Sequence, residues 1–464
     1  MSELHWTSIS DLRKALSEGE LSALALTQYM LARIEQHNGR LHCYSQVLGE
    51  QALERAAALD AAREQGKACG PLHGIPIALK DLLATAGVTT ASGTKVMANH
   101  VPKVDATVVS RLQEAGAIVL GKVQLTEGAY GAHHPDIATP VNPWSEELWS
   151  GVSSSGSGVS VAAGLAFGAL GSDTGGSIRF PSVANGLVGI KATYGRVSRN
   201  GAFPLAESLD HIGPLTRNVA DAALLLQAIA GHDPLDPNSL SVAVPDFSEQ
   251  LTLGVADMRL GIDWDYVESG VAPAVVDTLR TVVKTYEELG ASVVEVTLPR
   301  EYITLVRNWV VTCSVECALA HEGLFPEHKA MYGPDLTGLI ELGHKVGGLQ
   351  YGALERIRER FRRKLDVLFE SIDGLLCPAM PVPVPTIDSM AQTLNDDDET
   401  AEFLNFTAPY NYSGHPTISL PSGIDDAGRP TGFQIVGRWL DEAVLVRAGH
   451  AYEQALGLTA RPEI

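Results

Sequence analysis

Apolar positions follow two different periods along this chain. After Ser22, which can cap a helix, Leu24, Leu31 and Ile34 recur at the spacing of one helical face. Other apolar runs continue without a break, as at 75–79, which is typical of strands buried on both faces. The pattern predicts helices over 22–37, 51–64, 107–115, 221–230, 274–289 and 444–456, and strands over 75–79, 117–121, 259–262, 292–296, 416–421 and 432–437.

These elements alternate along the sequence, and alternation of strands with helices favours an α/β fold with a sheet covered on both faces. Residues 301–370 are predicted to be mostly helical, and their basic run at 356–364 contains Glu359, which indicates a solvated helix face. The proline-rich segment 378–385 is predicted to be extended, and 395–399 to be an acidic loop.

The composition indicates a folded protein with a large core and no nucleic-acid partner. Apolar residues make up 45% of the 464 residues, and the formal net charge of -21 repels phosphate backbones. The five cysteines are scattered and odd in number, so we expect buried free thiols and a reducing compartment. The N-terminus lacks the pattern of a signal peptide, and the apolar stretch 159–170 is too short to cross a bilayer. We therefore expect a cytoplasmic protein with no membrane partner.

Residues 151–181 are rich in Gly, Ala and Ser, a composition that suits close approach of the backbone to another group. Within them, the sequence DTGGS at 173–177 places a serine hydroxyl after several backbone N–H groups that can converge on one point. This arrangement predicts a hydrolase with Ser177 as its nucleophile. The alternative is that Ser177 caps a helix that begins near Pro181.

A serine nucleophile needs a base, and the sequence offers histidines and a lysine. His133 and His134 lie in a predicted loop, and Ser177 lacks the G-x-S-x-G surroundings of a nucleophile elbow, because Arg179 stands two residues after it. Lys80 follows a predicted strand. In an exposed strand it would be an ordinary solvated end. In a strand buried on both faces, desolvation lowers the pKa of the ammonium and the amine can act as the base.

Three motifs in order resemble the amidase signature family. They are GIPIALKD at 74–81, SSSG at 153–156 and GSDTGGSIRFP at 171–181. Further likenesses at 141–144, 189–191, 416–421 and 432–437 extend the resemblance over most of the chain, from about residue 10 to 456. The resemblance implies an α/β fold, a large single domain whose twisted mixed β-sheet is sandwiched between helices. It implies an N-terminal helical layer over 1–70, a catalytic core over 71–220 and a remainder over 221–464, in which 240–400 shape the substrate pocket.

That family works through a Ser-cis-Ser-Lys triad, and the matching motifs carry its roles over to this chain. The resemblance implies that Ser177 is the nucleophile, Ser153 the bridging serine on a cis peptide and Lys80 the base. It further implies an oxyanion hole made by the backbone N–H groups of Thr174, Gly175, Gly176 and Ser177, a supporting ion pair between Asp173 and Arg179, and a hydrogen bond from Ser154 near the triad. The family's usual GGSSGG reads GVSSSG here at 151–156, so the bridging serine is Ser153 or Ser154. The separation of 24 residues between Ser153 and Ser177 agrees with the family and favours Ser153.

The resemblance implies an amidase that hydrolyses a carbon–nitrogen amide bond through an acyl-enzyme, with no cofactor and no metal. Tyr130 and His133 lie in the segment that lines the acyl pocket of similar enzymes, and Trp309 and Phe406 are further candidates. We expect a small-molecule substrate: an aryl or medium-sized amide, or a related urea or carbamate. Two alternatives stay open. One is the glutaminase subunit of a tRNA-dependent amidotransferase, which needs a partner protein; the other is a non-catalytic binding protein on this scaffold. A homodimer is common among similar proteins.

Overall fold

The unbroken apolar runs form strands of one mixed sheet in the computed structural model, which describes residues 3–464. The strands are β1 Tyr44–Val47, β2 Pro76–Lys80, β3 Ile118–Val123, β4 Gly168–Asp173, β5 Val188–Lys191, β6 His211–Thr216, β7 Arg259–Ile262, β8 Ser292–Glu295, β9 Gly374–Pro378, β10 Thr417–Ile424 and β11 Pro430–Gly437. Their order across the sheet is β1-β3-β2-β4-β6-β5-β10-β11-β9-β7-β8. Strand β2 pairs in parallel with β3 and β4, and β7 with β8 and β9, whereas the middle of the sheet is antiparallel.

Helices surround this sheet. Within residues 3–464 they are α1 Ile9–Glu18, α2 Ala23–Leu41, α3 Gly49–Glu64, α4 Thr107–Glu114, α5 Ser155–Ala162, α6 Arg179–Ala184, α7 Val219–Ile229, α8 Trp264–Glu268, α9 Pro273–Glu288, α10 Glu301–Arg307, α11 Trp309–Ala320, α12 Phe325–His328, α13 Pro334–Gly343, α14 Gly348–Leu368, α15 Ile387–Leu394, α16 Asp397–Phe403, α17 Ala408–Ser413 and α18 Glu442–Leu456. Strands β2, β4, β5 and β6 are buried at every residue, so both faces of the sheet are covered there. The predicted α/β fold, one large domain around a mixed sheet, is confirmed.

The predicted helices and strands are present, with ends that differ by a few residues. Ser22 caps α2 by accepting a hydrogen bond from the backbone N–H of Ala25, as its position suggested. The N-terminal region is not purely helical, because β1 pairs with β3 and adds an edge strand to the sheet. Strands β4, β5, β6 and β9 were not predicted; the sequence HIGPLT of β6 has neither clean alternation nor a continuous apolar run.

The predicted acidic loop at 395–399 is wrong, since α16 begins within it. The carboxylate of Asp396 accepts hydrogen bonds from the backbone N–H groups of Asp398 and Glu399, at 2.9 and 3.0 Å. The acidic side chains that suggested a solvated loop lie in the first turn of the helix, where the helix dipole stabilises negative charge. The charge run therefore marks a helix start.

The structure shows where the cysteines lie and whether any helix could cross a membrane. All five cysteines are free thiols; Cys69 is exposed and the other four are buried. Among residues 3–464, no single helix has the length and apolar character needed to cross a membrane; the bent pair α10 and α11 meets those criteria only when taken together.

Candidate active site

Lys80 is the last residue of β2, and its side chain is completely buried. Its Nζ atom donates hydrogen bonds to three serine hydroxyls: Ser153 Oγ at 2.7 Å, Ser154 Oγ at 2.9 Å and Ser172 Oγ at 2.9 Å. Burial lowers the pKa of Lys80 from 10.5 to about 7, although the carboxylates of Asp173 and Asp210 act in the opposite direction. Three donated bonds describe the ammonium form; with a pKa of about 7, about half of the enzyme holds the neutral amine at pH 7, which has two N–H bonds and one lone pair.

The two parallel strands β2 and β4 bring this lysine to the serine-rich segments. Both end at the same edge of the sheet, where Ser172 and Asp173 complete β4 beside Lys80. The peptide bond between Val152 and Ser153 is cis, and α5 starts two residues later at Ser155. Two distant segments of sequence thus meet around one amine.

The loop after β4 carries Ser177 and is organised by a buried ion pair. Arg179 donates to both carboxylate oxygens of Asp173, at 3.0 and 2.8 Å, and both side chains are fully buried. Burial alone would raise the pKa of Asp173, but the Arg179 guanidinium and the amide of Asn411 hold it well below its ordinary value. The predicted Asp173–Arg179 pair is present, and it fixes the ends of the loop.

Two glycines allow this loop its shape. Gly176 has φ +138°, a conformation that side chains rarely adopt, and a Cβ there would lie 2.4 Å from the Phe180 ring. A Cβ on Gly175 would lie 2.7 Å from the indole of Trp309. Glycine is therefore required at both positions for the backbone to lie against these rings.

The predicted oxyanion hole needs one correction. The Gly176 N–H donates to Asp173 Oδ1 at 2.9 Å, so the ion pair already occupies it. Among the described residues, the N–H groups of Thr174, Gly175 and Ser177 have no hydrogen-bond partner, and these three residues line a cavity. Three of the four predicted donors are therefore available to an oxygen atom in that cavity.

Ser177 lies at the boundary between this loop and the cavity, with 8% of its surface exposed. Within residues 3–464, no hydrogen bond joins its hydroxyl to that of Ser153, although Ser153 is bonded to Lys80. Ser177 is also not a helix cap, because α6 begins at Arg179 with no side-chain cap. Its hydroxyl is free to engage either a bound molecule or Ser153. Catalytic hydrogen bonds are often loose before substrate binds.

The cavity beside Ser177 has a volume of about 400 Å³ and mainly apolar walls. Its inner wall includes Val152, Phe180 and Trp309, and α13 and α16 form much of the rest. Three charged residues also line it, namely Arg307, Asp335 and Asp397, and all three are exposed. We call this space the acyl cavity.

The predicted pocket residues are placed differently from one another. Tyr130 lines the acyl cavity and stacks on Trp309, with ring centroids 6.2 Å apart. His133 does not line it; its Nε2 lies 3.0 Å from Ser155 Oγ, and burial together with nearby Lys80 lowers its pKa to about 4. Phe406 is fully buried in the core against Tyr266. Tyr130 and Trp309 are thus in position to contact a ligand directly.

Several residues of the site were not found from sequence. Ser172 bonds Lys80, and its place one residue before the predicted loop was the available signal. Asp210 accepts a hydrogen bond from Thr174 Oγ1 at 2.5 Å, and burial raises its pKa to about 6. Thr407 and Asn411 bond the loop from more than two hundred residues away, so no local motif marks them. Within residues 3–464, no group of three or more His, Cys, Asp or Glu side chains is arranged to hold a metal ion.

Comparison with known proteins identifies the scaffold that holds this geometry. A family model described as Amidase matches residues 25–446. The chain is 43% identical over 461 residues to a Mycobacterium tuberculosis protein provisionally named amidase AmiD, covering 99% of this chain and 96% of that protein. It is 39% identical over 489 residues to a subunit of the glutamyl-tRNA(Gln) amidotransferase of Moorella thermoacetica, covering 100% and 99%.

A solved structure gives the same result in three dimensions. The crystal structure of a bacterial aryl acylamidase of the amidase signature family superimposes with a TM-score of 0.86 at 25% identity, covering 97% of this chain and 96% of that one. The family match covers most of the sequence, and the fold agrees along nearly the whole chain. The protein therefore belongs to the amidase signature family and is an amidohydrolase that acts on carbon–nitrogen amide bonds.

Proposed function

We propose that this enzyme hydrolyses amides through an acyl-enzyme on Ser177, with Ser153 as the bridging serine and Lys80 as the base. The observation that carries the proposal is the position of the Lys80 amine, which is buried and 2.7 Å from the Ser153 hydroxyl. A desolvated amine with a pKa of about 7 can accept and return a proton at physiological pH. A buried lysine bonded to a serine hydroxyl also argues against the alternative of a non-catalytic binding protein, because simple ligand binding does not need a desolvated amine.

The hydrogen bonds support Ser153 over Ser154 as the bridging serine. Ser154 Oγ donates its proton to the backbone carbonyl of Ser172 at 3.1 Å and accepts from Ser172 N at 3.2 Å. Its proton is therefore committed, and it can only accept from Lys80. Ser153 makes no such bond to a carbonyl among the described residues, so its hydroxyl can donate to the lone pair of neutral Lys80.

The reaction then proceeds in two balanced steps. Ser177 Oγ attacks the amide carbon while its proton passes to Ser153, whose own proton passes to Lys80. The N–H groups of Thr174, Gly175 and Ser177 stabilise the tetrahedral oxyanion. The C–N bond breaks as the proton returns to the leaving amine. Water adds to the acyl carbon by the same route, and Ser177 regains its proton.

The acyl cavity supports an apolar acyl group, aromatic or medium-sized. Its volume of about 400 Å³ and the stacked rings of Tyr130 and Trp309 suit a flat group, as in an aryl amide or a related urea or carbamate. Much of its wall comes from 306–404, in keeping with a catalytic core over 71–220 and a substrate-shaping region over 240–400. We place the enzyme in the cytoplasm, because five free thiols suit a reducing compartment.

A second candidate is a glutaminase component that supplies ammonia to a partner protein. Similarity to the Moorella thermoacetica protein supports it, and so do the charges of both signs around the acyl cavity, because glutamine carries an ammonium and a carboxylate. Hydrolysis of aryl amides by the isolated chain, with no activity on glutamine, would exclude this function. The reverse result would favour it.

The first experiment is labelling with a fluorophosphonate, followed by intact mass and peptide mapping. We expect one adduct, on Ser177, and none in Ser177→Ala. Ser157→Ala is a matched control, because Ser157 is also buried but bonds the carbonyl of Leu170 and lies outside the proposed triad. An unlabelled wild-type enzyme, or equal labelling of Ser177→Ala, would refute Ser177 as the activated nucleophile.

A further inference from the structure

The acyl cavity is lined in part by a short loop and in part by a helix. Residues 127–132, which we call the Tyr130 loop, contribute Ala129, Tyr130 and Gly131 to its lining. Helix α13 contributes five residues, namely Pro334, Asp335, Gly338, Leu339 and Leu342. The contacts that hold this loop and this helix together therefore shape the cavity.

Two acidic side chains join the Tyr130 loop to the start of α13. Both carboxyl oxygens of Glu127 accept from the Gly333 N–H, at 2.9 and 3.1 Å. In the other direction, Asp335 Oδ2 accepts a hydrogen bond from the Ala132 N–H at 3.1 Å. The approach is close, because a Cβ on Gly333 would lie 2.5 Å from Glu127 Oε2 and a Cβ on Gly131 would lie 2.8 Å from Asp335 Oδ2. We call these two contacts the clamp.

Glu127 caps α13 from outside that helix. Gly333 is the N-cap residue and has no side chain to supply a cap. In a capping box, a Glu three residues into the same helix accepts from the N-cap N–H. Leu336 stands at that position here, and the carboxyl group comes instead from 206 residues earlier in the sequence.

This contact is the whole hydrogen bonding of the Glu127 side chain within residues 3–464. Glu127 is 2% exposed, and a buried carboxyl group is costly unless a hydrogen bond compensates for the lost water. Separating α13 from the Tyr130 loop would remove that bond. The buried carboxyl group therefore favours the closely packed arrangement of the two.

We propose that Glu127 is a positioning residue that determines which acyl groups the enzyme accepts, because the clamp fixes the start of α13 against the Tyr130 loop. The inference rests on the proposed function, in which the acyl cavity receives the acyl group. Without Glu127 the start of α13 can move away from the loop, and an acyl group that fills the cavity loses part of its contact area. An acetyl group is far too small to fill a cavity of about 400 Å³, so its binding depends little on the clamp.

The test compares the 4-nitroanilides of hexanoic and acetic acid through the ratio of their kcat/KM values, hexanoyl over acetyl. We expect Glu127→Ala to lower this ratio about tenfold, by raising KM for the hexanoyl substrate rather than by lowering kcat. Glu127→Gln keeps an acceptor for the Gly333 N–H, so its ratio should stay within about twofold of wild type.

A second pair of variants tests the clamp at an exposed position, where folding is not at risk. Asp335→Ala removes the bond from the Ala132 N–H and should lower the ratio about threefold. Asp388→Ala is the matched control, because Asp388 is likewise exposed and the second residue of a helix, α15. Its side chain makes no hydrogen bond within residues 3–464 and does not line the acyl cavity, so the ratio should not change.

Gly338→Phe tests the acyl cavity itself and separates the two proposals. Gly338 lines the cavity, and a Cβ there would meet nothing within 4 Å, so the ring should occupy part of the space and lower the ratio. If Gly338→Phe lowers the ratio but Glu127→Ala and Asp335→Ala do not, or if Glu127→Ala slows both substrates equally, the role of Glu127 is overturned and the proposed function stands. An unchanged ratio in Gly338→Phe would overturn the assignment of the acyl cavity, and the role of Glu127 with it.

Discussion

The pKa of Lys80 makes the pH dependence of this enzyme a quantitative test of its base. An ordinary lysine with a pKa of 10.5 is neutral in only about one molecule in 3,000 at pH 7. With burial lowering the pKa to about 7, about half of the enzyme carries the neutral amine at that pH. The neutral fraction rises from about one tenth at pH 6 to about nine tenths at pH 8, so kcat/KM should rise about tenfold over that interval.

The assay is kcat/KM for an aryl amide between pH 5 and 9, in wild type and in two carboxylate variants. Asp210→Asn removes a negative charge that raises the pKa of Lys80, so the midpoint should move to lower pH. Asp221→Asn is the control: its carboxylate accepts a hydrogen bond from Ile9 at the start of α1 and is not among the charges acting on Lys80. Lys80→Arg should be nearly inactive, because arginine stays charged.

Three results would refute this reasoning. Full activity of Lys80→Arg at pH 7 would show that no neutral amine is needed. If the midpoint of the pH–activity curve does not move in Asp210→Asn, the rise of activity with pH does not report the ionisation of Lys80. A midpoint that does not fall on warming would indicate a carboxylate, whose ionisation absorbs little heat, in place of an amine. Glu127, whose pKa burial raises to about 7, would then be the group to examine.

Further predictions concern the loop and the folded state. Arg179→Met leaves the Asp173 carboxylate buried without its cation, so the free energy of unfolding in urea should fall by about 3–5 kcal/mol, and a loss below about 1 kcal/mol would contradict that role. Gly175→Ala should push the Trp309 indole aside and lower kcat/KM for an aryl amide about tenfold, with unchanged kinetics arguing against the close contact. Between pH 7 and 10.5 the unfolded chain binds more protons at Lys80 than the folded chain, so wild-type stability should gain about 1.4 kcal/mol per pH unit relative to Lys80→Met, and equal slopes would exclude a buried neutral amine.

The fold was predictable where burial alone dictates the sequence. Continuously apolar runs such as those of β2 and β3 can only be central strands or core helices, and their length and flanking residues decide between the two. Strand β6 could not be predicted from its own sequence, because its burial comes from pairing with β4 and β5 and the polar His211 interrupts the apolar run. The start of α16 was not predicted, because an acidic sequence is equally typical of a solvated loop and of the capped first turn of a helix.

The active site was predictable only as far as its motifs extend. Lys80, Ser153 and Ser177 stand in local sequences that resemble a known family, so their roles could be proposed residue by residue. The occupied N–H of Gly176 could not be foreseen, because it depends on where the Asp173 carboxylate turns. Asp210 and Asn411 become part of the site through folding, and their neighbours in sequence carry no sign of it.

The loop that carries Ser177, residues 173–179, is held in place by hydrogen bonds to residues near the C-terminal end of the sequence. Arg179 donates to the carbonyl of Thr407, and Asn411 donates to Asp173, across separations of 228 and 238 residues. During synthesis, a ribosome-bound chain that ends before Thr407 already contains the proposed triad but lacks the residues that hold its loop in place. Because domains fold cooperatively and distant contacts form late, such a chain should not react with amides. Amide hydrolysis during translation would thus indicate that the C-terminal third has been synthesised, and truncated chains should not hydrolyse amides.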